Sequence, residues 1–122
     1  MHYFWMADYR KLRVWHKADA LAKGVYKLAE TTLDAGQAEL ADQMKRAALS
    51  VPANIAEGSG HRSRKEFARF VTYAIASSCE LENHVKFARD IRAICYADWK
   101  KTSEELVDVR KMLRGFLKKL GG

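Results

Sequence analysis

The chain has 122 residues, of which 48% are hydrophobic and 30% are charged, and this composition is typical of one globular domain with a single core. No run approaches the roughly 20 apolar residues of a membrane span, and the N-terminus lacks the pattern of a secretory signal, so we expect a cytoplasmic protein without membrane contacts. The formal charge of +7 favours anionic partners only where the basic residues are concentrated.

The start of the domain is predicted from the point where apolar residues begin to recur periodically. Residues 1–8 precede the first periodic segment, and Met6 is as good a candidate for the natural start as Met1. We therefore expect a flexible N-terminal extension over residues 1–8 and a single domain over residues 9–122. Cys79 and Cys95 have no second pair and no nearby histidine, so we expect both to be reduced and partly buried.

Apolar residues recur at steps of three and four in four successive segments, which predicts four helices and no strands. The first segment carries its apolar stripe from Val14 to Leu28 and is expected to end near Thr32. The second runs from Leu40 to Ile55, and the glycines that follow stop it.

The third helix has the best-defined start, because Ser63 and Glu66 form a capping box that satisfies two backbone donors. Its inward face continues to Ile91, and a short connection leads to a fourth helix with apolar positions from Trp99 to Leu120. Short connections force consecutive helices to be antiparallel. The sequence therefore predicts the all-α fold class, as an antiparallel up-down-up-down four-helix bundle.

Pro52 lies inside the apolar stripe of the second helix, where it lacks the donor that the carbonyl of Ala48 expects. We expect the helix to continue with a kink at this point. The alternative is that the helix ends at Ser50 and a new one starts with Pro52 in its first turn.

The second helix has almost no polar face. From Ala47 to Ala56 its only polar side chains are those of Ser50 and Asn54, whereas a helix of an isolated bundle keeps one face in water. An apolar surface of this kind is an aggregation liability unless it is covered. We therefore predict an obligate homo-oligomer with this helix at or beside the interface.

Polar residues form a second stripe on this helix, and a matching stripe follows on the third helix. We expect them to build an oligomer interface or a polar network in which an Arg46–Glu80 pair fixes the register between helices or subunits. The alternative is a solvated face with weak surface pairs. The candidate residues are Gln43, Arg46, Ser50, Pro52, Asn54, Glu57, Tyr73 and Glu80.

Basic residues are concentrated in two segments. Residues 61–70 hold four basic residues and one acidic residue, and residues 100–122 hold seven and three. An antiparallel bundle brings both segments to one pole, together with Arg10, Lys11 and Arg13 at the start of the first helix, and acidic residues lie at the other pole. This pole is a candidate surface for sequence-independent binding of RNA or DNA, and the alternative is solvation that also complements a helix dipole. The candidate residues are Arg62, Arg64, Lys65, Arg69, Lys118 and Lys119.

The sequence contains no recognisable catalytic or cofactor-binding pattern. Glu80 and His84 are four residues apart, whereas di-iron bundles use a glutamate and a histidine three apart, twice. The segment AEGSGHRS lacks the preceding strand and the lysine of a phosphate-binding loop. Pro52 and the five-residue connection also fit a DNA-reading helix-turn-helix badly. We expect no enzyme, metal site, cofactor or small-molecule substrate.

Three segments carry a resemblance to a known family: LRVWHKADALAKGVYKL, DQMKRAALSVPANIAEGSGHRSRKEFARFVTYAIASSCELE and VRKMLRGFLKKL. Together they resemble the four-helix bundle proteins encoded by intervening sequences of bacterial 23S ribosomal RNA genes. The most specific part is SxPxNIAEG, from Ser50 to Gly58, with residues 62–67 after it. The resemblance implies a cytosolic bundle that assembles as a homopentamer and has no established enzymatic activity.

More distantly, the sequence is similar to the accessory variability protein of diversity-generating retroelements, a pentamer that binds nucleic acid and a reverse transcriptase. The first interpretation is a non-enzymatic, homopentameric scaffold or interaction module. The alternative is an accessory protein that binds RNA or DNA through the basic pole without sequence specificity.

Overall fold

The computed structural model describes residues 8–122, and this part of the chain consists of four α-helices and one 3-10 turn. The turn is Tyr9–Lys11, and the helices are α1 (Arg13–Asp34), α2 (Ala38–Ser59), α3 (Arg64–Asp90) and α4 (Tyr96–Lys119). Each helix packs against the next, and α4 also packs against α1. The predicted all-α four-helix bundle is confirmed.

Contacts at the two ends of the bundle show the antiparallel arrangement. At one end, the Thr32 hydroxyl near the end of α1 lies 3.6 Å from the Met44 sulfur near the start of α2. At the other end, the Phe67 ring of α3 and the Phe116 ring of α4 meet edge to face, with centroids 5.1 Å apart. The chain therefore runs up, down, up and down.

Nearly all of the predicted N-terminal extension lies outside the described residues, and only Asp8 belongs to the described part. The Asp8 carboxylate accepts hydrogen bonds from Nε and the backbone N–H of Arg10, at 2.7 and 2.9 Å. These bonds favour the charged carboxylate, so they lower the pKa of Asp8 to about 2.

Helix α1 ends two residues later than the sequence predicts, at Asp34, and Gly36 turns the chain into α2. Gly36 has a φ of +86°, a left-handed conformation that glycine adopts without steric cost. The N–H of Ala35 and the N–H of Gln37 donate to the carbonyls of Thr31 and Thr32, each at 3.1 Å. These bonds satisfy carbonyls that the end of a helix leaves unpaired.

Helix α2 runs unbroken through Pro52, so the alternative of two shorter helices is wrong. The proline ring is buried within the bundle, where its apolar contacts offset part of the cost of the lost hydrogen bond. The kink expected at this residue stays a prediction.

Helix α3 begins where the sequence predicts, but only half of the capping box forms. The hydroxyl of Ser63 accepts a hydrogen bond from the backbone N–H of Glu66 at 3.0 Å. The Glu66 carboxylate does not reach back to the cap, because it accepts a bond from Arg69 Nε at 3.0 Å instead. The guanidinium of Arg69 offers the Glu66 carboxylate a charged donor, whereas a capping box offers it only a neutral backbone N–H.

The core contains apolar side chains from all four helices. Most positions of the predicted stripes are buried; Leu40, Phe70, Trp99 and Phe116 are only partly buried, and Ile91 is 41% exposed. The largest completely buried side chains of the core are Phe67, Met44, Ile55, Leu81, Leu106 and Leu113. Gly58 lies against the Phe67 ring, and this contact fixes the distance between the end of α2 and the start of α3.

Candidate functional site

The predicted polar stripe forms a hydrogen-bonded cluster between α2 and α3. The hydroxyls of Ser50 and Ser77 are 2.6 Å apart. The Asn54 side-chain amide donates to the carbonyl and the hydroxyl of Ser50, at 2.8 and 3.0 Å. All three residues are partly buried, so the cluster fixes the register of the two helices at the edge of the core.

Arg46 and Glu80 do not pair within the chain. Among the described residues Arg46 has no ion-pair or hydrogen-bond partner, and Oε2 of Glu80 lies 3.6 Å from Nε2 of His84. That nitrogen is buried and has no hydrogen-bond partner among the described residues, so its contact with Glu80 is not a hydrogen bond. The two residues therefore form no pair within one chain, and their pairing between subunits stays a prediction.

The other candidates of the stripe take different positions. Gln43 and Glu57 are exposed, whereas Pro52 is buried in its own chain. Tyr73 is 43% exposed, and its hydroxyl accepts a hydrogen bond from Arg69 Nη1 at 2.9 Å.

Between Arg46 and Glu57, the outward side of α2 is largely apolar. Arg46, Leu49, Ala53 and Ala56 follow steps of three, four and three, so they lie on one face of the helix. Leu49 is 53% exposed, Ala53 is exposed and Ala56 is partly exposed. We call these four residues the α2 outer stripe. Its spacing is that of the contact line of a coiled coil.

A second outward line lies on the neighbouring helix α3. Tyr73, Ala76, Glu80, Asn83 and Phe87 follow steps of three, four, three and four, and all five are exposed. The ring of Phe87 is 54% exposed. We call these residues the α3 outer stripe. The two stripes lie on adjacent helices, and each combines exposed apolar side chains with one charged residue.

The predicted basic pole forms from three parts of the chain. Lys11 and Arg13, before and at the start of α1, line one groove together with Lys119 at the end of α4. The end of α4 reaches the start of α3, since a Cβ built on Gly122 would lie 3.3 Å from the Cβ of Ala68. Arg62, Arg64 and Lys65 are exposed between α2 and the first turn of α3.

Arg69 differs from the other candidates of the pole because it is held by a local cluster. Its guanidinium pairs with Glu66 at 3.0 Å and lies 5.0 Å from the Phe70 ring centroid. The hydrogen bond to Glu66, followed by the one to Tyr73, raises the pKa of Arg69. This arginine therefore faces α3 neighbours along the side of the bundle.

The opposite pole is less acidic than the sequence predicts. Arg89 and Arg92 lie there beside Thr31, and the Arg89 guanidinium packs 4.3 Å from the Trp99 ring centroid. Lys100 and Lys101, which the segment count assigned to the basic pole, lie near the start of α4 and thus at the opposite end. The charge difference between the two poles is therefore smaller than predicted, because the count over residues 100–122 ignored where each lysine lies along α4.

The structure also shows a polar contact that the sequence analysis missed. Arg110 of α4 donates from Nε to the Ser78 hydroxyl at 3.1 Å and from Nη2 to Glu82 at 2.7 Å. Its side chain is 17% exposed, so these bonds hold α4 against α3 in a partly dry environment. The sequence signal for this contact is the pair of polar residues Ser78 and Glu82, four positions apart on α3, together with an arginine on α4.

Chemistry-bearing side chains outside these surfaces are dispersed. Cys79 and Cys95 are free and exposed, so the expectation that they are partly buried is wrong. Within residues 8–122 no group of three or more histidine, cysteine, aspartate or glutamate side chains is arranged to hold a metal ion. No helix in this part of the chain combines the length and apolar character that crossing a bilayer requires.

Comparison with known families agrees with the motif around Pro52. Residues 10–115 match the 23S rRNA-intervening sequence protein family. The chain belongs to this family. The resemblance noted from the sequence is confirmed, and the match covers α1, α2, α3 and all but the last turn of α4 of this intervening sequence protein.

A solved structure shares the fold. It is a protein of unknown function from the S23 ribosomal protein family of Bacteroides thetaiotaomicron, 19% identical in sequence, and it superposes with a TM-score of 0.79. The alignment covers 86% of this intervening sequence protein and 98% of that chain. No curated protein matches the sequence. The family and the fold are thus established.

Proposed function

We propose that this intervening sequence protein is a non-enzymatic, homopentameric scaffold or interaction module of the cytoplasm. The observation that carries the proposal is the α2 outer stripe, in which Leu49 and Ala53 are exposed within the segment from Ala47 to Ala56, whose only polar side chains are those of Ser50 and Asn54. An exposed, contiguous apolar line on a helix is typical of a binding surface.

The character of the stripe favours a second helix as its partner. Ala53 and Ala56 are small, so a neighbouring helix can approach closely, and the steps of three and four match the contact line of such a helix. In a closed ring every subunit presents one face and accepts another. A count of five follows from the resemblance to the intervening sequence proteins.

A matched pair of alanine substitutions tests this surface. Ala53→Glu places a carboxylate in the proposed contact, and Ala97→Glu places the same side chain on the exposed start of α4. We expect Ala53→Glu to reduce the mass from about five copies to the 13.9 kDa of one chain, because a charge without a partner in an interface costs several kcal/mol. Light scattering after size exclusion measures the mass.

The helical circular dichroism of Ala53→Glu serves as the control for folding and should match that of the wild type. Ala97→Glu should keep the mass of the wild type. If the wild type is assembled and Ala53→Glu remains so, another surface joins the subunits.

A second candidate function is binding of RNA or DNA without sequence specificity. The observation that favours it is the meeting of three basic segments at one end of the bundle, where Lys119 lies beside Lys11 and Arg13. In a ring with parallel bundle axes, these ends lie on the same side of the assembly. Lysines and arginines that face phosphates give a salt-sensitive affinity.

Two double substitutions with the same change in charge test this candidate. Lys118→Glu with Lys119→Glu alters the basic pole, and Lys100→Glu with Lys101→Glu alters the opposite end. We expect the first to weaken binding to duplex DNA or structured RNA by about tenfold or more at 0.15 M salt, and the slope of affinity against salt to fall by about 2. Equal losses in both variants, or no binding by the wild type, would contradict the candidate.

A further inference from the structure

The register between α2 and α3 places two opposite charges at the same height on the outside of the bundle. The Ser50–Ser77 hydrogen bond of 2.6 Å sets this register. Arg46 lies one turn before Ser50, and Glu80 lies nearly one turn after Ser77 on the antiparallel helix. The two side chains are thus level along the bundle axis, and they still do not pair within the chain.

Each of these charges belongs to a different outer stripe. Arg46 is the charged member of the α2 outer stripe, whose other members are Leu49 and two alanines. Glu80 is the charged member of the α3 outer stripe, which has large rings at its two ends, Tyr73 and Phe87. The α2 outer stripe carries a positive charge and mostly small side chains, whereas the α3 outer stripe carries a negative charge and bulky side chains. The two are complementary in charge and in size.

Rotation about an axis parallel to the bundle leaves the position of each residue along that axis unchanged. In a ring built by such a rotation, the α2 outer stripe of one subunit faces the α3 outer stripe of the next, and residues at the same position along the axis meet. Arg46 then lies level with the partner's acidic residue, and Ala53 lies level with the bulky tyrosine. The same operation repeats the contact at every interface.

We infer that Arg46 of one subunit forms an ion pair with Glu80 of the next copy, across a contact between the α2 and α3 outer stripes. This inference rests on the proposed self-association and identifies the surfaces that meet. The pair orients the contact, since like charges repel wherever two equivalent stripes face each other. It also explains why the two charges are exposed and level without pairing in one chain.

Charge exchange tests the pairing. Arg46→Glu and Glu80→Arg should each raise the concentration at half assembly by about tenfold or more, and the combined variant should recover most of that loss. Arg114→Glu reverses an exposed arginine on α4 and is the matched control, which should assemble like the wild type. Sedimentation velocity over a dilution series provides the readout.

Cross-linking shows whether the pair joins different chains. Arg46→Lys keeps the charge and supplies an amine that a carbodiimide couples to a carboxylate in contact with it. In an assembly formed from ¹⁴N- and ¹⁵N-labelled chains, we expect peptide pairs that join Lys at position 46 to Glu80 and carry one light and one heavy partner. Only light–light and heavy–heavy pairs would place the contact within one chain.

The outcomes separate the two proposals. An assembled wild type with single charge variants that assemble equally well would overturn the Arg46–Glu80 contact and leave self-association standing. A wild type that stays a single chain would overturn both.

Discussion

Replacing Phe67 with alanine is expected to lower the free energy of unfolding by about 3–5 kcal/mol. The ring is completely buried, and it packs edge to face on Phe116 at the end of the bundle where three helices meet. Removal of the ring leaves a cavity that the neighbouring helices cannot close without moving. Urea denaturation followed by helical circular dichroism measures the change.

A graded variant makes this expectation specific. Phe67→Leu keeps much of the apolar volume, and we expect a smaller loss than for alanine. Equal losses for both variants would show that the aromatic contact with Phe116, and not the filled volume, dominates at this position. A loss below about 1 kcal/mol for the alanine variant would contradict the packing described for this end of the core.

Replacing Gly58 with alanine is expected to cost about 1–3 kcal/mol, although alanine favours helix formation. A Cβ at this position would lie 2.8 Å from Cδ1 of Phe67 and 2.8 Å from Cβ of Phe70. The Phe70 Cβ is attached directly to the backbone of α3, so a side-chain rotation cannot relieve the overlap. The two helices must separate, and this strain exceeds the gain in helix propensity.

Gly24 provides the matched control for this substitution. It lies inside α1, and a Cβ built there would have no neighbouring heavy atom within 4 Å. Gly24→Ala should therefore raise the free energy of unfolding by about 0.5–1 kcal/mol, the ordinary difference between the two residues in a helix. Thermal and urea melts of the two variants should shift in opposite directions. A shift in the same direction would contradict the close approach at Gly58.

The motif that identifies the family is explained largely by packing inside one chain. In the segment SxPxNIAEG, Ser50 and Asn54 form the cluster with α3, while Pro52 and Ile55 are buried in the core. Gly58 allows the close approach of α3. The motif therefore specifies how α2 and α3 pair, and it is a signature of the fold.

Periodicity and capping were enough to predict the helices. The Ser63 cap fixed the start of α3, and the steps of three and four predicted an α2 that continues through Pro52. These signals are local, because each depends on residues within one or two turns of the same helix. Helix ends were less certain, as the two additional residues of α1 show.

Contacts between helices were harder to predict, because a sequence does not give the rotation of one helix against another. Arg110 binds two residues of α3 that lie 28 and 32 positions away in sequence. Glu80 was expected to reach across to Arg46, and its carboxylate instead lies 3.6 Å from the His84 ring on its own helix. The cysteines were expected to be partly buried from residue type alone, and both are exposed.

The central claim is that the outward side of α2 is covered by another copy of the chain. Sedimentation equilibrium of the wild type at micromolar concentration tests it most directly, because the fitted mass depends on neither shape nor standards. We predict a mass of about 70 kDa, five copies of the 13.9 kDa chain. A fitted mass of 13.9 kDa across the concentration range would contradict the claim.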